Sequence, residues 1–544
     1  MSDQGNRKTE RHNPAALSTE IRGAFGTLRD EEMVTQKSLK RKLLTLLAVL
    51  GPGIIVMVGD NDAGGISTYA QAGQNYGTSL LWTLVLIIPV LIINQEMVVR
   101  LGAVTGVGLY RLIAERLGKM WARVSIGGLF LLDFLTIATE FAGVTLSLGY
   151  FNISKYVSVP VAAALLVAIS SSGSFRRWER FMFIFVFANF LVIPLVILSH
   201  PHAGPIIHGY VTPKIAGGVN STSILFVIGI VGTTVAPWQL FFQQSNIVDK
   251  KITPRWINYE RADTVIGSAV TVFAATLIIS ATAFAFSGHA QLAGHFVNGL
   301  SVAIGLDKTV GSGAGALFAI ILLNASMVGA ASVTLTSAYA YGDMAGVRSS
   351  LNRSFAEAKQ FYFSFAILIG LAAAIVLIPH APLGLFVLAV QAFAGILLPL
   401  AMVFGLLLCN DREVLGPWVN APWLNIVAGL VITILLGMSA VLMITTVFPT
   451  VPTSILFDIL VVSGIGGVAS GITLALGSKK QEKLHPQLRT RSVRERWQMP
   501  PSVLLRPANL SRGRKSVLFM LFAYLLVAVS LLLAKSIELG LGHH

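Results

Sequence analysis

One short run of residues, VGDNDAGG at 58–65, limits this chain more than any other. Two carboxylates, an amide and a pair of glycines stand inside an apolar stretch running from Leu43 to about Tyr69. An ionised residue at mid-membrane costs at least ~3 kcal/mol, and unwound backbone inside a bilayer is tolerated only where it lines a protein cavity. Composition decides whether a bilayer is involved. The 544 residues are 54% hydrophobic and 12% charged, whereas soluble domains carry about 25% charged residues. Mean hydropathy is +0.74, and many windows exceed the ~20 apolar residues that cross a bilayer core. An all-α polytopic membrane protein follows. The single cysteine, Cys409, excludes an intramolecular disulfide and a cysteine-based metal cluster. It reads as a small apolar packing residue.

Spans are expected near 43–69, 78–100, 124–150, 157–172, 180–200, 222–247, 264–287, 311–342, 361–379, 383–409, 422–447, 453–476 and 516–535. Residues 1–42 are polar, mixed in charge and end in KSLKRK, which predicts a cytoplasmic tail rather than a secretory signal. With the N-terminus inside, one set of loops holds Arg111, Arg116, Lys119, Arg123, the RRWER run at 176–180 and the basic stretches at 249–261 and 348–359. The opposite loops hold only Lys155, Lys214 and Lys308. This asymmetry predicts a multi-pass protein of the cell membrane with its N-terminus in the cytoplasm. It also accounts for the net charge of +15 without a nucleic-acid partner. The expected organisation is a tail (1–42), a first five-span repeat (43–200), a second (222–409), additional spans (422–476), a basic cytoplasmic segment (477–515) and a final span with the C-terminus (516–544).

The repeat rests on two breaks. Span 1 is interrupted at GDNDAGG. Span 6 is interrupted at GTTVAP, where Pro237 removes a backbone donor and clashes with the preceding turn. Five spans separate the breaks, and an odd number of spans inverts the second half. Matching broken helices point to an inverted-repeat carrier with its site at the midplane. The glycines are expected to open the helix and free carbonyl oxygens. Together with Asp62 these oxygens would suit a hard cation.

Asp62 is the first candidate, because no Lys or Arg lies centrally in any span to pair with it. Asp60 either faces the pathway or caps a half-helix, and Asn61 suits the backbone groups of a broken helix. Glu140, in LTIATEFAG of span 3, is a candidate for the ion or proton pathway, with Asp133 a weaker one. Asp458 and Glu96 lie nearer span ends, where interfacial solvation explains them. Gln391 in span 10 adds an amide either to the site or to helix packing. All ten histidines fall in tails, loops or span ends, which argues against a histidine-built zinc site or a histidine proton shuttle inside the membrane. No nucleophile–base pair or metalloprotease spacing supports an enzyme, and no cofactor is expected.

GPGIIVMVGDNDAGGISTYAQAG resembles the first span of Nramp divalent-metal transporters, in which Gly-Pro-Gly, Asp-Pro-Gly-Asn and Gln-Ala-Gly recur at fixed spacing. GTTVAPWQLFF, TEFAG at 139–143 and SMVGAASVTLTSAYAYGDMAG at 326–346 are similar to that family's spans 6, 3 and 8. The resemblance covers roughly residues 45–410. It implies a LeuT-type inverted repeat of spans 1–5 and 6–10 with two or three further C-terminal spans. It places Asp62 on the motif's aspartate.

The departures are Ala63 for the motif's proline, Gly65 for its asparagine, Ala236 for the metal-binding methionine, Trp238 for the following histidine and Gly143 for a second acid. They are similar to those of the Nramp-related magnesium transporters. Loss of a soft sulfur ligand leaves oxygen, which suits a partly hydrated magnesium ion. The implied reading is carriage of magnesium, with manganese also accepted and without proton coupling. The expected metal set is Asp62, Gly65, Thr233, Ala236, Asp60, Asn61 and Gln391, with Glu140 and Trp238 on the pathway. The alternatives are a proton-coupled manganese or iron carrier of the ordinary type, and an amino-acid–cation symporter of the same architecture. The lipid bilayer and divalent ions are the expected partners; the oligomeric state stays open, with a monomer as the simplest case.

Overall fold

The computed structural model describes residues 20–28, 38–219, 221–379, 383–448, 451–484, 494–495, 497–501, 504–508 and 512–540. Most of the N-terminal tail, parts of the basic 477–515 segment, and His12, His380, His485, His543 and His544 lie outside them. The chain starts with a two-stranded antiparallel hairpin, β1 (Ile21–Gly23) and β2 (Gly26–Leu28), with Ile21 opposite Leu28. Helices follow in the order α1 (Leu39–Val49), α2 (Pro52–Gly59), α3 (Ala63–Tyr76), α4 (Leu81–Thr105), α5 (Leu109–Arg116), α6 (Lys119–Tyr150), α7 (Lys155–Ser170), α8 (Phe175–Ala188), α9 (Val192–Leu198), α10 (Ala203–Val211), α11 (Ser221–Thr234) and α12 (Pro237–Asp249). The rest are α13 (Ile257–Phe286), α14 (Gly299–Thr309), α15 (Ser312–Ala345), α16 (Lys359–Val376), α17 (Leu383–Cys409), α18 (Arg412–Leu415), α19 (Pro422–Val447), α20 (Thr453–Leu484) and α21 (Arg512–Gly540). Among the described residues, eleven helices are long and apolar enough to cross a bilayer, or twelve if α1 and α2, bent by 53°, form one span.

The hairpin is a departure from the expected polar tail. An isolated two-stranded ribbon is marginal in water. This one buries Ile21 and Leu28, and the Phe25 ring meets Phe183 of α8 edge-on at 4.5 Å. Short helices α10 and α14 also occupy connections that read as loops; α14 is held by a reciprocal cap between Asn298 and Ser301.

The centre is built by close helix pairs. α13 lies along α2, α3 and α4, α15 runs beside α6, and α17 faces α11 and α6. Past residue 409, α19 pairs with α20, and both α19 and α21 contact α17. Cys409 is buried, as its packing role requires, with its thiol directed at the Met97 carbonyl 3.6 Å away.

Candidate functional site

The first break is shorter than the glycines suggest, and it sits before them. α2 ends at Gly59 and α3 resumes at Ala63, leaving only Asp60, Asn61 and Asp62 outside helix. Asp62 is the N-cap of α3. Its backbone is extended, and its Oδ1 accepts the Gly65 N–H at 2.7 Å. A carboxylate suits that position because it answers orphan donors and the positive end of the helix. The Ala63 N–H is answered by Glu140 Oε2 of α6 at 3.0 Å. Two acids from two helices thus close one helix end.

Gly64 and Gly65 therefore lie inside the first turn of α3, and what they supply is room. A Cβ at Gly64 would stand 1.6 Å from Gln391 Nε2 and 3.1 Å from Asp62 Oδ1. A Cβ at Gly65 would stand 2.8 Å from the Asp60 carbonyl oxygen and 3.5 Å from both Asp62 Oδ1 and Thr233 Oγ1. Groups from the break itself, α11 and α17 converge on these two α-carbons. The Gly143 departure has a similar cause: a Cβ there would press to 2.5 Å from Ala63 Cβ and 2.3 Å from Ser326 Oγ.

The second break is two residues long. α11 ends at Thr234, Val235 and Ala236 are not helical, and α12 starts at Pro237, whose missing N–H costs nothing at a first helical position. Ala236 is the extended N-cap of α12 and is buried. Tyr69 of α3 and Thr234 of α11 tie the breaks together through a 2.7 Å hydroxyl contact.

Beneath the break lies a chain that reading the sequence missed. Gln239 of α12 donates its amide to Asp60 Oδ1 and, at 3.3 Å, to the Thr234 carbonyl. Its own oxygen accepts from Gln95 Nε2 of α4 at 3.1 Å. The available signal was two glutamines inside apolar spans. Asn61 donates to the Thr271 carbonyl of α13 at 3.3 Å. Trp238 is buried against Phe242, and a Cβ on Gly59 would meet its ring edge at 3.4 Å, so its indole packs beneath the break.

Several polar atoms in this cluster are buried without a hydrogen-bond partner: Asp60 Oδ2, Asn61 Oδ1, Glu140 Oε1, Thr233 Oγ1 and Gln391 Nε2. Each such atom costs ~1–3 kcal/mol if left unanswered, a need that a water or an ion can meet. A rotation exchanges the oxygen and nitrogen of the Gln391 amide, so it can present either. No group of three His, Cys, Asp or Glu side chains gathers for a metal among the described residues. A cation here would depend on one or two carboxylates with hydroxyl, amide and carbonyl oxygens. Asp133 lies apart, accepting from Ser337 Oγ of α15 at 2.6 Å. Glu96 is paired with Arg100 at 2.9 Å and Arg261 at 2.6 Å, and Asp458 is exposed.

Interrupted helices from two parts of the chain, packed so that their breaks meet at a buried polar cluster, define a membrane carrier of the LeuT fold rather than an enzyme. The chain belongs to the Nramp family, described as natural resistance-associated macrophage protein-like, which matches residues 53–445. It is similar to the divalent metal cation transporter MntH of Staphylococcus aureus strain Mu3, at 26% identity over 76% of this chain and 93% of that one. Among solved structures it is similar to the Eremococcus coleocola manganese transporter bound to an aromatic bis-isothiourea compound. That likeness has a TM-score of 0.61 and 20% identity, and covers 83% of this chain and 97% of the other.

Proposed function

We propose that this protein carries divalent metal ions across the membrane, magnesium foremost and manganese as well. The ion is held partly hydrated between the breaks of α2–α3 and α11–α12, without proton coupling. The relatives' names speak for divalent cations. The observation that carries the finer reading is the donor set around Gly64 and Gly65: Asp62 Oδ1, the Asp60 carbonyl, Thr233 Oγ1 and the Gln391 amide, with no sulfur among them. Thioether ligands favour softer transition metals, whereas magnesium keeps several waters and takes one or two carboxylates. Ala236, where the resemblance puts a methionine, leaves room for those waters. Glu140 is engaged by the Ala63 N–H at the helix end, which favours a positioning role over a relay.

The test is uptake into proteoliposomes of magnesium, manganese, calcium and an amino-acid mixture, with a pH-sensitive dye in the lumen. Magnesium and manganese uptake without lumenal acidification is expected. Uptake of amino acids, or acidification that tracks magnesium, would overturn the reading.

A further inference from the structure

A second cavity shares no lining residue with the cluster at the two breaks. It has a volume of about 700 Å³ and lies between α17 and α19 on one side and α20 and α21 on the other. Its wall is almost wholly apolar, from Leu406 and Leu436 to Val517 and Leu521, and includes Ala440. At one end it meets Asn410 and the first turn of α21, which brings Arg514 to the mouth. Arg512 and Lys515 lie on the same turn of α21 and are exposed. The family match ends at residue 445, so α20 and α21 lie beyond it.

These observations name an occupant. The two outer walls are largely uncovered: only 17% of the apolar window of α20 and 22% of that of α21 are buried within the protein. A slot of this size and lining takes a hydrocarbon chain. Three basic residues within four positions, at the end of an intramembrane slot, attract a phosphate headgroup. We propose that this cavity is a binding site for one anionic phospholipid of the surrounding bilayer. An acyl chain lies between α19 and α21, and the headgroup rests on Arg512, Arg514 and Lys515. The lipid would fill a space between the family core and the helices beyond it, next to α17, which also carries Gln391. The inference does not depend on which ion is carried.

The experiment is native mass spectrometry of the full-length protein released from nanodiscs. Phosphatidylglycerol and phosphatidylcholine of the same chains are compared. Preferential retention of one phosphatidylglycerol is expected. Arg514→Gln with Lys515→Gln should cut that preference by about fivefold for each charge removed. Ala440→Phe, which fills the slot and leaves the headgroup residues alone, should reduce retention of both lipids. Circular dichroism and unchanged metal uptake identify folded variants. Equal retention of both lipids by the wild type would overturn the proposal, as would full phosphatidylglycerol retention in folded Ala440→Phe.

Discussion

Two groups of buried acids sit at opposite ends of the same half-helix, α2, and they are treated in opposite ways. At its N-terminus, the Asp263 carboxylate accepts the N–H groups of Gly51, Gly53 and Ile54 at 3.1, 2.7 and 3.1 Å. Beside it, Glu179 pairs with Lys250 at 2.7 Å and accepts the Ala24 N–H of the hairpin. Lys250 also donates to the Val49 and Leu50 carbonyls where α1 bends into α2. That one cation acts on Asp263 and Glu260 as well. At the C-terminal end of α2, Asp60, Asp62 and Glu140 are equally buried and have no basic partner among the described residues; one oxygen of Asp60 and one of Glu140 are left without a hydrogen bond, as are both oxygens of Glu260 at the other end. Burial alone therefore does not separate the two groups; a lysine stands beside one of them and not beside the other. Where the protein supplies a lysine, the acids hold an elbow in place.

The largest effect should come from removing the Asp62 charge, if the proposed cation site is right. Asp62→Ala should lower metal flux on the order of a hundredfold or more, since an interaction with a charged group is lost at the centre of the site. The loss of the α3 cap, ~1 kcal/mol, is offset by relief of a buried unpaired charge. Asp62→Asn keeps a capping oxygen and should be as inactive as the alanine variant while melting like the wild type. Radiotracer uptake alongside thermal unfolding separates the two effects, and near-normal flux in Asp62→Asn would break the contrast drawn above.

The mirror experiment belongs to the other end. Lys250→Met leaves Glu179 without its ion partner and two neighbouring acids without their cation. Stripping one member of a buried pair costs ~3–5 kcal/mol. We expect a lower yield and a clear drop in melting temperature. Glu179→Gln combined with Lys250→Met removes both charges and should recover part of the loss. Recovery that fails to appear in the double variant would mean that Lys250 acts mainly through the Val49 and Leu50 carbonyls.

The two regions also differ in how much of them a reader of the sequence can see. The break at α2–α3, the Pro237 interruption and the fold they imply are written in short local runs, because helix-breaking residues act on their own neighbours. The structure accordingly brings Asp62, Gly65 and Thr233 close together. The role of the glycines was misjudged: the chain unwinds before Gly64, and the need for a small residue comes from Gln391, more than 300 positions away. The Asp60–Gln239–Gln95 chain and the Glu179–Lys250 pair join residues 71 to 179 positions apart. Nothing in their immediate surroundings announces them. The hairpin escaped for a related reason, since a three-residue strand has too short a pattern to register until the surface that stabilises it is known.

A smaller, selective effect is expected from Ala236→Met. A thioether brought to the N-cap of α12 adds a soft ligand and takes space from waters that magnesium retains. One good ligand shifts relative affinity by about tenfold, ~1.4 kcal/mol, toward manganese and cadmium. Calorimetric binding and competitive uptake of magnesium against each of these ions measure the shift. An unchanged ratio would mean that residue 236 points away from the ion.

The smallest effect should be that of Glu140→Gln, and it probes the boundary between the two kinds of acid. Glu140 is buried without a cation, like the acids of the site, yet one of its oxygens already serves the Ala63 N–H, like the acids at the other end of α2. A glutamine keeps an acceptor oxygen for that N–H and loses only the charge and the ability to carry a proton. If the carboxylate positions α3, flux should stay within about twofold of wild type, because no interaction unique to the transport step is removed. The pH dependence of uptake should also be unchanged. If instead Glu140 relays protons, the wild type should acidify the vesicle lumen as magnesium enters, and the variant should lose that acidification while still moving the ion. Paired dye and tracer records on the two proteins distinguish these cases, and the second result would move Glu140 from a capping group to a working part of the pathway.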